Sequence, residues 1–221
     1  AMGEEAWRVH AVGDTHVDQL LLGKVTSPEE LGAKYHLHAD DPFLLVLQHS
    51  DSTVPDQSRT QMAETLAAVL SFGLRTLLVY PCSDQGFEGI LAEIEAVRDK
   101  PGVSIHQNIP APDFAGLQAI AGCLIGNSSA GLIESPYFGL PAVNVGDRQI
   151  GREHAENVLH VPYDRGKISS AIERALFDPV FQSACKAITP PFGDGTAYRR
   201  ITEVLATVPL NSRLLNKRMA Y

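Results

Sequence analysis

Cysteine, methionine and tryptophan are scarce in this chain: three, three and one among 221 residues. Cys82, Cys123 and Cys185 form no C-x-x-C pair, so a disulfide framework is not indicated and buried free thiols in a reducing cytoplasm are expected. Long apolar runs are also missing. The stretch "LAAVLSFGL" is too short and too interrupted to span a bilayer, and no signal peptide is visible, which argues against a membrane as partner. Positive charge is in deficit, with 18 basic against 26 acidic residues and a net charge of −8. That balance argues against a nucleic-acid partner or an acidic-membrane surface, but not against a small anion, which needs only a few local donors. No G-x-G-x-x-G follows the first candidate strand and no P-loop occurs, so neither a dinucleotide nor a Walker-type site is indicated, and no cofactor is expected. "HLHADD" (36–41) alternates potential metal ligands, but no second cluster completes a site, and no metal is expected.

What the chain does contain is a regular alternation. Short β-rich runs, "RVHAV" (8–12), "FLLVLQ" (43–48), "TLLVYP" (76–81), "VSIHQ" (103–107), "CLIGN" (123–127) and "PAVNV" (141–145), are separated by longer amphipathic ones. Nearly continuous apolar character suits strands covered on both faces. Helical stripes lie at 58–72 (Met62, Leu66, Val69, Leu70, ending at Gly73), 88–98 (Ile90, Leu91, Ile94, Val97) and 112–121 (Phe114, Leu117, Ile120), with further helices at 168–177, 180–188 and 197–208. The pattern predicts an α/β, doubly wound, Rossmann-like parallel sheet in one domain over 1–221, with 196–221 a terminal helix and tail. In such sheets ligands bind beyond the carboxyl ends of the strands, where strand order reverses. The polar residues after strands are therefore the candidates for function.

After "CLIGN" come Ser128 and Ser129, and Glu134 follows five residues later. A helix starting at Ser129 would offer unpaired N–H groups and hydroxyls to a phosphate, and an acid one turn on could accept from a ribose diol. Equally, Ser128 could cap the helix and Glu134 complement its dipole. Arg148 follows the next strand, at the same sheet edge. It could neutralise a diphosphate, or pair with Asp147 or Glu153 at the surface. His49 follows an apolar strand and opens "HSDST", placed either to move a proton or to close a loop start. "GDG" (193–195) is accounted for by a tight turn.

"VGDTHVDQLL", "LQHSDST", "IGNSSAGLIESPYFGLPAVNVGDRQIGREHAENVLHV" and "FGDGTAYRRI", in this order, resemble the hydrolysing UDP-N-acetylglucosamine 2-epimerases of sialic-acid biosynthesis. The long central stretch is the specific part, joining the serine pair, the acid and "GDRQIGRE". The resemblance implies the C-terminal half of a GT-B fold, in which two Rossmann-like domains hold a nucleotide sugar between them. It implies elimination of UDP from UDP-N-acetylglucosamine, then addition of water to give N-acetylmannosamine. By position, Ser128 and Ser129 would contact the diphosphate, Glu134 the ribose and Arg148 the UDP moiety. Ile109, in "NIPAP", would lie under the uracil, and His49 at the sugar–phosphate junction as the catalytic candidate. The partners implied are UDP-N-acetylglucosamine or UDP and a missing N-terminal GT-B domain, and a homo-oligomer is compatible with them. Without that domain the chain by itself is expected not to turn over. Two competing readings are the donor-binding domain of a GT-B glycosyltransferase and a non-catalytic UDP-sugar sensor.

Overall fold

A computed structural model of the chain describes residues 3–38 and 41–217. Its centre is a parallel sheet of six strands: β1 (Phe43–Leu47), β2 (Arg75–Val79), β3 (Val103–His106), β4 (Cys123–Gly126), β5 (Ala142–Val145) and β6 (Val158–Val161). Their order in the sheet is β3-β2-β1-β4-β5-β6, every neighbouring pair parallel. This is the doubly wound, Rossmann-like arrangement the alternating pattern predicts. Strand order reverses between β1 and β4, so the segments after Leu47 and after Gly126 flank the crevice of the fold.

Period-two alternation divides each strand between two cores. Leu44 and Val46 point to one face, against Met62, Leu66, Ile90, Ile94, Ile168, Ile172 and Phe181. These come from helices α3 (Ser58–Leu70), α4 (Phe87–Ala96), α7 (Arg165–Phe177) and α8 (Pro179–Lys186). Phe43 and Leu45 point to the other, against Leu31, Tyr35, Leu117 and Leu140, where α2 (Pro28–Tyr35) and α5 (Ala111–Ile120) lie. Full burial of such side chains stabilises by about 1.5–3 kcal/mol each, which is why all five residues of β1 are apolar.

Three elements depart from expectation. Residues 8–12 form no strand: a 3-10 turn spans Ala6–Arg8, and Val9, His10 and Ala11 are exposed. An alternating pattern makes a strand only where a sheet edge accepts its backbone. Conversely, β6 pairs along β5 from Ala142↔Val158 to Val145↔Val161 although "VLHV" is short and carries an exposed histidine. Helix α2 was also unanticipated, yet Ser27-Pro28-Glu29-Glu30 is a complete capping box with proline at the first helical position.

By its internal contacts the chain divides into two compact units. Residues 24–191 form the sheet and its helices. The other unit joins the segment up to Gly23 to the segment from Phe192 onward, so the described part of 196–221, expected as a terminal helix and tail, clusters with N-terminal residues. Within this smaller unit α1 (Thr15–Leu22) holds the start of α9 (Ala197–Thr207). The buried Asp18 carboxylate accepts from the N–H groups of Ala197 at 3.0 Å and Tyr198 at 2.6 Å. A last short helix, α10 (Ser212–Leu215), lies under Arg8, whose guanidinium donates to the Leu214 carbonyl at 3.0 Å. The turn at Gly193–Gly195 is closed by Asp194, which accepts from Thr196 and pairs with Arg200 at 2.7 Å. Among the described residues no helix is long and apolar enough to cross a membrane.

Candidate functional site

The β1–β4 ladder ends at Leu47↔Gly126. Gly126 has φ +135, and a Cβ there would lie 2.0 Å from the Leu47 carbonyl oxygen, so only glycine lets the two chains run this close. Gly131, by contrast, has room: a Cβ would meet its nearest neighbours at 3.6 and 3.8 Å. Directly beyond the ladder, Asn127 and His49 bond reciprocally. The Asn127 Oδ1 accepts from the His49 N–H at 2.7 Å, and its Nδ2 donates to the His49 carbonyl at 2.8 Å.

The His49 imidazole faces the segment that follows β2. The Cys82 N–H donates to Nδ1 at 3.1 Å, and the Cys82 Sγ lies 3.0 Å from the same atom and 3.3 Å from an Asp84 carboxylate oxygen. A ring nitrogen that accepts an N–H carries a lone pair, so the neutral ring holds its proton on Nε2. Burial, and secondarily the Arg148 guanidinium, push the His49 pKa down to about 4, against the opposing pull of Asp84. At neutral pH this histidine is an uncharged N–H donor. Cys82 itself is exposed, unlike the buried Cys123 and Cys185, because it sits past the end of β2, outside the sheet. Partial desolvation by the neighbouring groups, with the Asp84 carboxylate beside it, nonetheless raises its pKa, so it rests as a thiol.

Arg148 is held at the same place. Its guanidinium donates to the Asn127 carbonyl at 3.3 Å and pairs with Asp84 at 3.5 Å. The ion pair therefore reaches across the sheet edge and is not the expected local pair with Asp147 or Glu153. Its side chain keeps 29% exposure, enough to meet a ligand from the crevice. Gln149 donates to the same Asn127 carbonyl at 2.7 Å. Tyr163, after β6, accepts from Asn127 Nδ2 at 3.2 Å. Its ring lies so close over Gly146 (φ +78) that a Cβ there would fall 2.2 Å from it.

The serine turn is built differently. The helix expected to start at Ser129 is α6 (Ala130–Ile133), four residues long, followed by a 3-10 turn over Ser135–Phe138. Its dipole is accordingly small, and Glu134 stands past its end, not within it. Ser128 Oγ accepts from the Ala130 N–H at 3.3 Å, while Ser129 makes no side-chain capping bond. Glu134 accepts from the buried Gln118 Nε2 at 2.7 Å. Ile109 is brought to the carboxyl side of β3, but its side chain, 8% exposed, belongs to the core around Leu31 and Leu117. Of the candidates, His49 and Arg148 meet through Asn127, which leads straight into Ser128. Glu134 is tied instead to α5, and Ile109 to the core.

Asn127 is expected here only as one of the polar residues after a strand, Cys82 only as a buried thiol, and Asp84, Gln149, Tyr163 and Gln118 not at all. Cys82 and Asp84 carried a readable signal, because they are polar residues immediately after a strand. Among the described residues no group of three or more metal-ligating side chains gathers, and Ala39 and Asp40 of "HLHADD" lie outside them.

Comparison with known proteins bears on the fold and the family. A UDP-N,N'-diacetylbacillosamine 2-epimerase (hydrolyzing) of Legionella pneumophila is 31% identical over 221 residues, all of this chain and 57% of that protein. A crystal structure of UDP-GlcNAc 2-epimerase from Neisseria meningitidis bound to UDP-GlcNAc has the same fold, with TM-score 0.72 and 16% identity over 88% of this chain and 54% of that one. So has the Methanocaldococcus jannaschii UDP-GlcNAc 2-epimerase in complex with UDP-GlcNAc and UDP, at TM-score 0.71 and 18% identity over 92% and 56%. The chain thus spans about half the length of the relatives it matches. A family model described as UDP-N-acetylglucosamine 2-epimerase covers residues 1–206, and the chain belongs to that family.

Proposed function

We propose that this chain is the UDP-binding half of a hydrolysing UDP-N-acetylglucosamine 2-epimerase, which converts UDP-N-acetylglucosamine to N-acetylmannosamine and UDP. The observation that carries the reading is the gathering of His49, Asn127, Ser128 and Arg148 where strand order reverses. On this reading the diphosphate lies against the Ser128 and Ser129 hydroxyls and is neutralised by Arg148, which would exchange part of its pairing with Asp84 for the ligand. Glu134, held by Gln118, accepts from the ribose. The Ile109 side chain is buried, so contact with the base falls to its peptide group.

In the reaction a base removes the sugar's C2 proton, the C1–O bond breaks with its electron pair passing to the diphosphate, and a glycal forms. Water then adds across C1=C2. His49 donates its Nε2–H to the departing oxygen; as a neutral donor it stabilises the developing charge without having to be ionised first. The titratable groups beside the imidazole, Cys82 and Asp84, are engaged with it and with Arg148. We assign the C2 base to the half of the relatives' length that this chain does not span. The chain alone should therefore bind UDP and release none from UDP-N-acetylglucosamine.

Calorimetry tests the site. UDP should bind better than uridine, and the double variant Ser128→Ala, Ser129→Ala should weaken UDP by about 1–3 kcal/mol. Equal UDP affinity in wild type and double variant would refute the phosphate site, and robust UDP release by this chain would refute the division of labour. The name of the Legionella relative supports a second reading for the sugar, a UDP-N,N'-diacetylbacillosamine. Product analysis with both sugar nucleotides separates these two, and a transferred sugar would point instead to a glycosyltransferase.

A further inference from the structure

Asn127 has no exposed surface, and every polar group of its side chain is engaged. An amide offers one oxygen and two N–H groups. Here the oxygen takes the His49 N–H, one N–H goes to the His49 carbonyl and the other to the Tyr163 hydroxyl. Flipping the amide would set oxygen against carbonyl and N–H against N–H, so the network fixes its direction. An aspartate would do the same damage with its second oxygen. The main-chain carbonyl of the same residue holds the Arg148 guanidinium and the Gln149 amide.

These bonds lie one residue beyond the last ladder pair of β1 and β4, so they are not what joins the strands. They hold instead the peptide groups on either side of one Cα, the one that carries the imidazole. With that Cα fixed, Nδ1 stays within reach of the Cys82 N–H, and the ring's remaining nitrogen is aimed by default. The charged groups facing the ring are Arg148, held by the same asparagine, and Asp84, held by Arg148.

We propose that Asn127 is a positioning residue that ties His49, through its side-chain amide, and the guanidinium of Arg148, through its main-chain carbonyl, to one buried residue, so that a nucleoside diphosphate meets both as a single preset unit. Asn127 does not touch the ligand; it acts through these two groups. The inference rests on the nucleotide-binding reading above only for the identity of the ligand.

The test uses the full chain and reads His49 first without ligand. Nitrogen-15 resonances of the imidazole should show the Nε2–H tautomer, resistant to protonation well below an ordinary histidine. In Asn127→Ser both tautomers should appear and the titration should move up toward the ordinary histidine value. The UDP dissociation constant should rise about tenfold, because the main chain of residue 127, whose carbonyl holds Arg148, loses its side-chain anchor to His49. A folded Asn127→Ser protein with wild-type His49 resonances and titration would overturn the proposal, whatever its melting temperature. Should Asn127→Ser not fold, Tyr163→Phe removes only the third bond. It should shift the His49 titration in the same direction by less and raise the UDP dissociation constant about twofold; no shift in that folded variant would overturn the proposal equally. A wild-type chain that shows the tautomer and its loss in Asn127→Ser, yet does not bind UDP, would support the clamp and count against the nucleotide reading alone.

Discussion

Around the β1–β4 junction His49, Asn127, Arg148 and Asp84 are linked in one unbroken hydrogen-bonded chain, while a few residues further along Ser129 caps nothing with its side chain and Glu134 is held by a glutamine from α5. The first arm is set before any ligand arrives: its donors are aimed by protein groups, and only the Arg148–Asp84 pairing gives way in part to the ligand. The second arm is set by a one-turn helix and two hydroxyls, and its geometry is completed by what binds there. Substitutions in the first arm should therefore propagate to its other members, and those in the second should act locally.

The largest difference should come from paired glycine changes. Gly126→Ala drives a Cβ into the Leu47 carbonyl at a φ that side chains rarely adopt, and should destabilise the chain by about 3 kcal/mol or more in urea unfolding. Gly131→Ala, which meets only ordinary contacts, should stay within about 1 kcal/mol of wild type. Comparable losses at both sites would break the contrast between a strained junction and a relaxed turn.

Next is Arg148. Arg148→Ala should weaken UDP by about 1–3 kcal/mol with a shallower salt dependence, because a charged contact is lost. In a double-mutant cycle with Asp84→Asn the two effects should be non-additive, since the groups pair directly, whereas Arg148→Ala with Ser129→Ala should be close to additive. The opposite pattern would mean that the serine turn, not Asp84, is coupled to the guanidinium.

Glu134→Gln should cost about 1 kcal/mol or less toward UDP but should reduce the preference for ribose over deoxyribose nucleotides, because one acceptor of the diol becomes a partial donor. An unchanged ribose preference would remove Glu134 from the sugar site.

The last contrast is the pH dependence of stability. Folded His49 stays neutral down to about 4, whereas the unfolded residue takes up its proton near the ordinary 6.5. The unfolded chain binds the extra proton between those values, so this contribution is full above about pH 6.5 and is lost as pH falls toward 4. His49→Gln should flatten the slope of unfolding free energy over that window. An equal slope in the variant would show that the imidazole is not held neutral.

How far the sequence reaches differs between scaffold and site. Met62, Leu66 and Val69 mark α3 by their spacing, and the apolar run 43–48 marks β1, because those periods follow from local geometry whatever surrounds them. The same reasoning misassigns 8–12, where an alternating pattern found no sheet edge, and passes over "VLHV", whose pairing depends on β5 being there. The capping box at Ser27 was legible and was overlooked.

For the site, the sequence by itself determined the parallel α/β sheet and placed His49, Ser128, Ser129 and Arg148 after strands, on the side where such sheets bind ligands. It did so because strand periodicity and chain direction are local properties. Only the tertiary structure decided that Arg148 pairs with Asp84 and not with its sequence neighbours, that Cys82 stands beside His49, and that Asn127 joins His49 to Arg148. Those partners lie 64, 33, 78 and 21 positions apart along the chain. Strand order, with β1 brought beside β4 across two intervening strands, is what closes such separations to hydrogen-bond distance, and no periodicity within a segment encodes it.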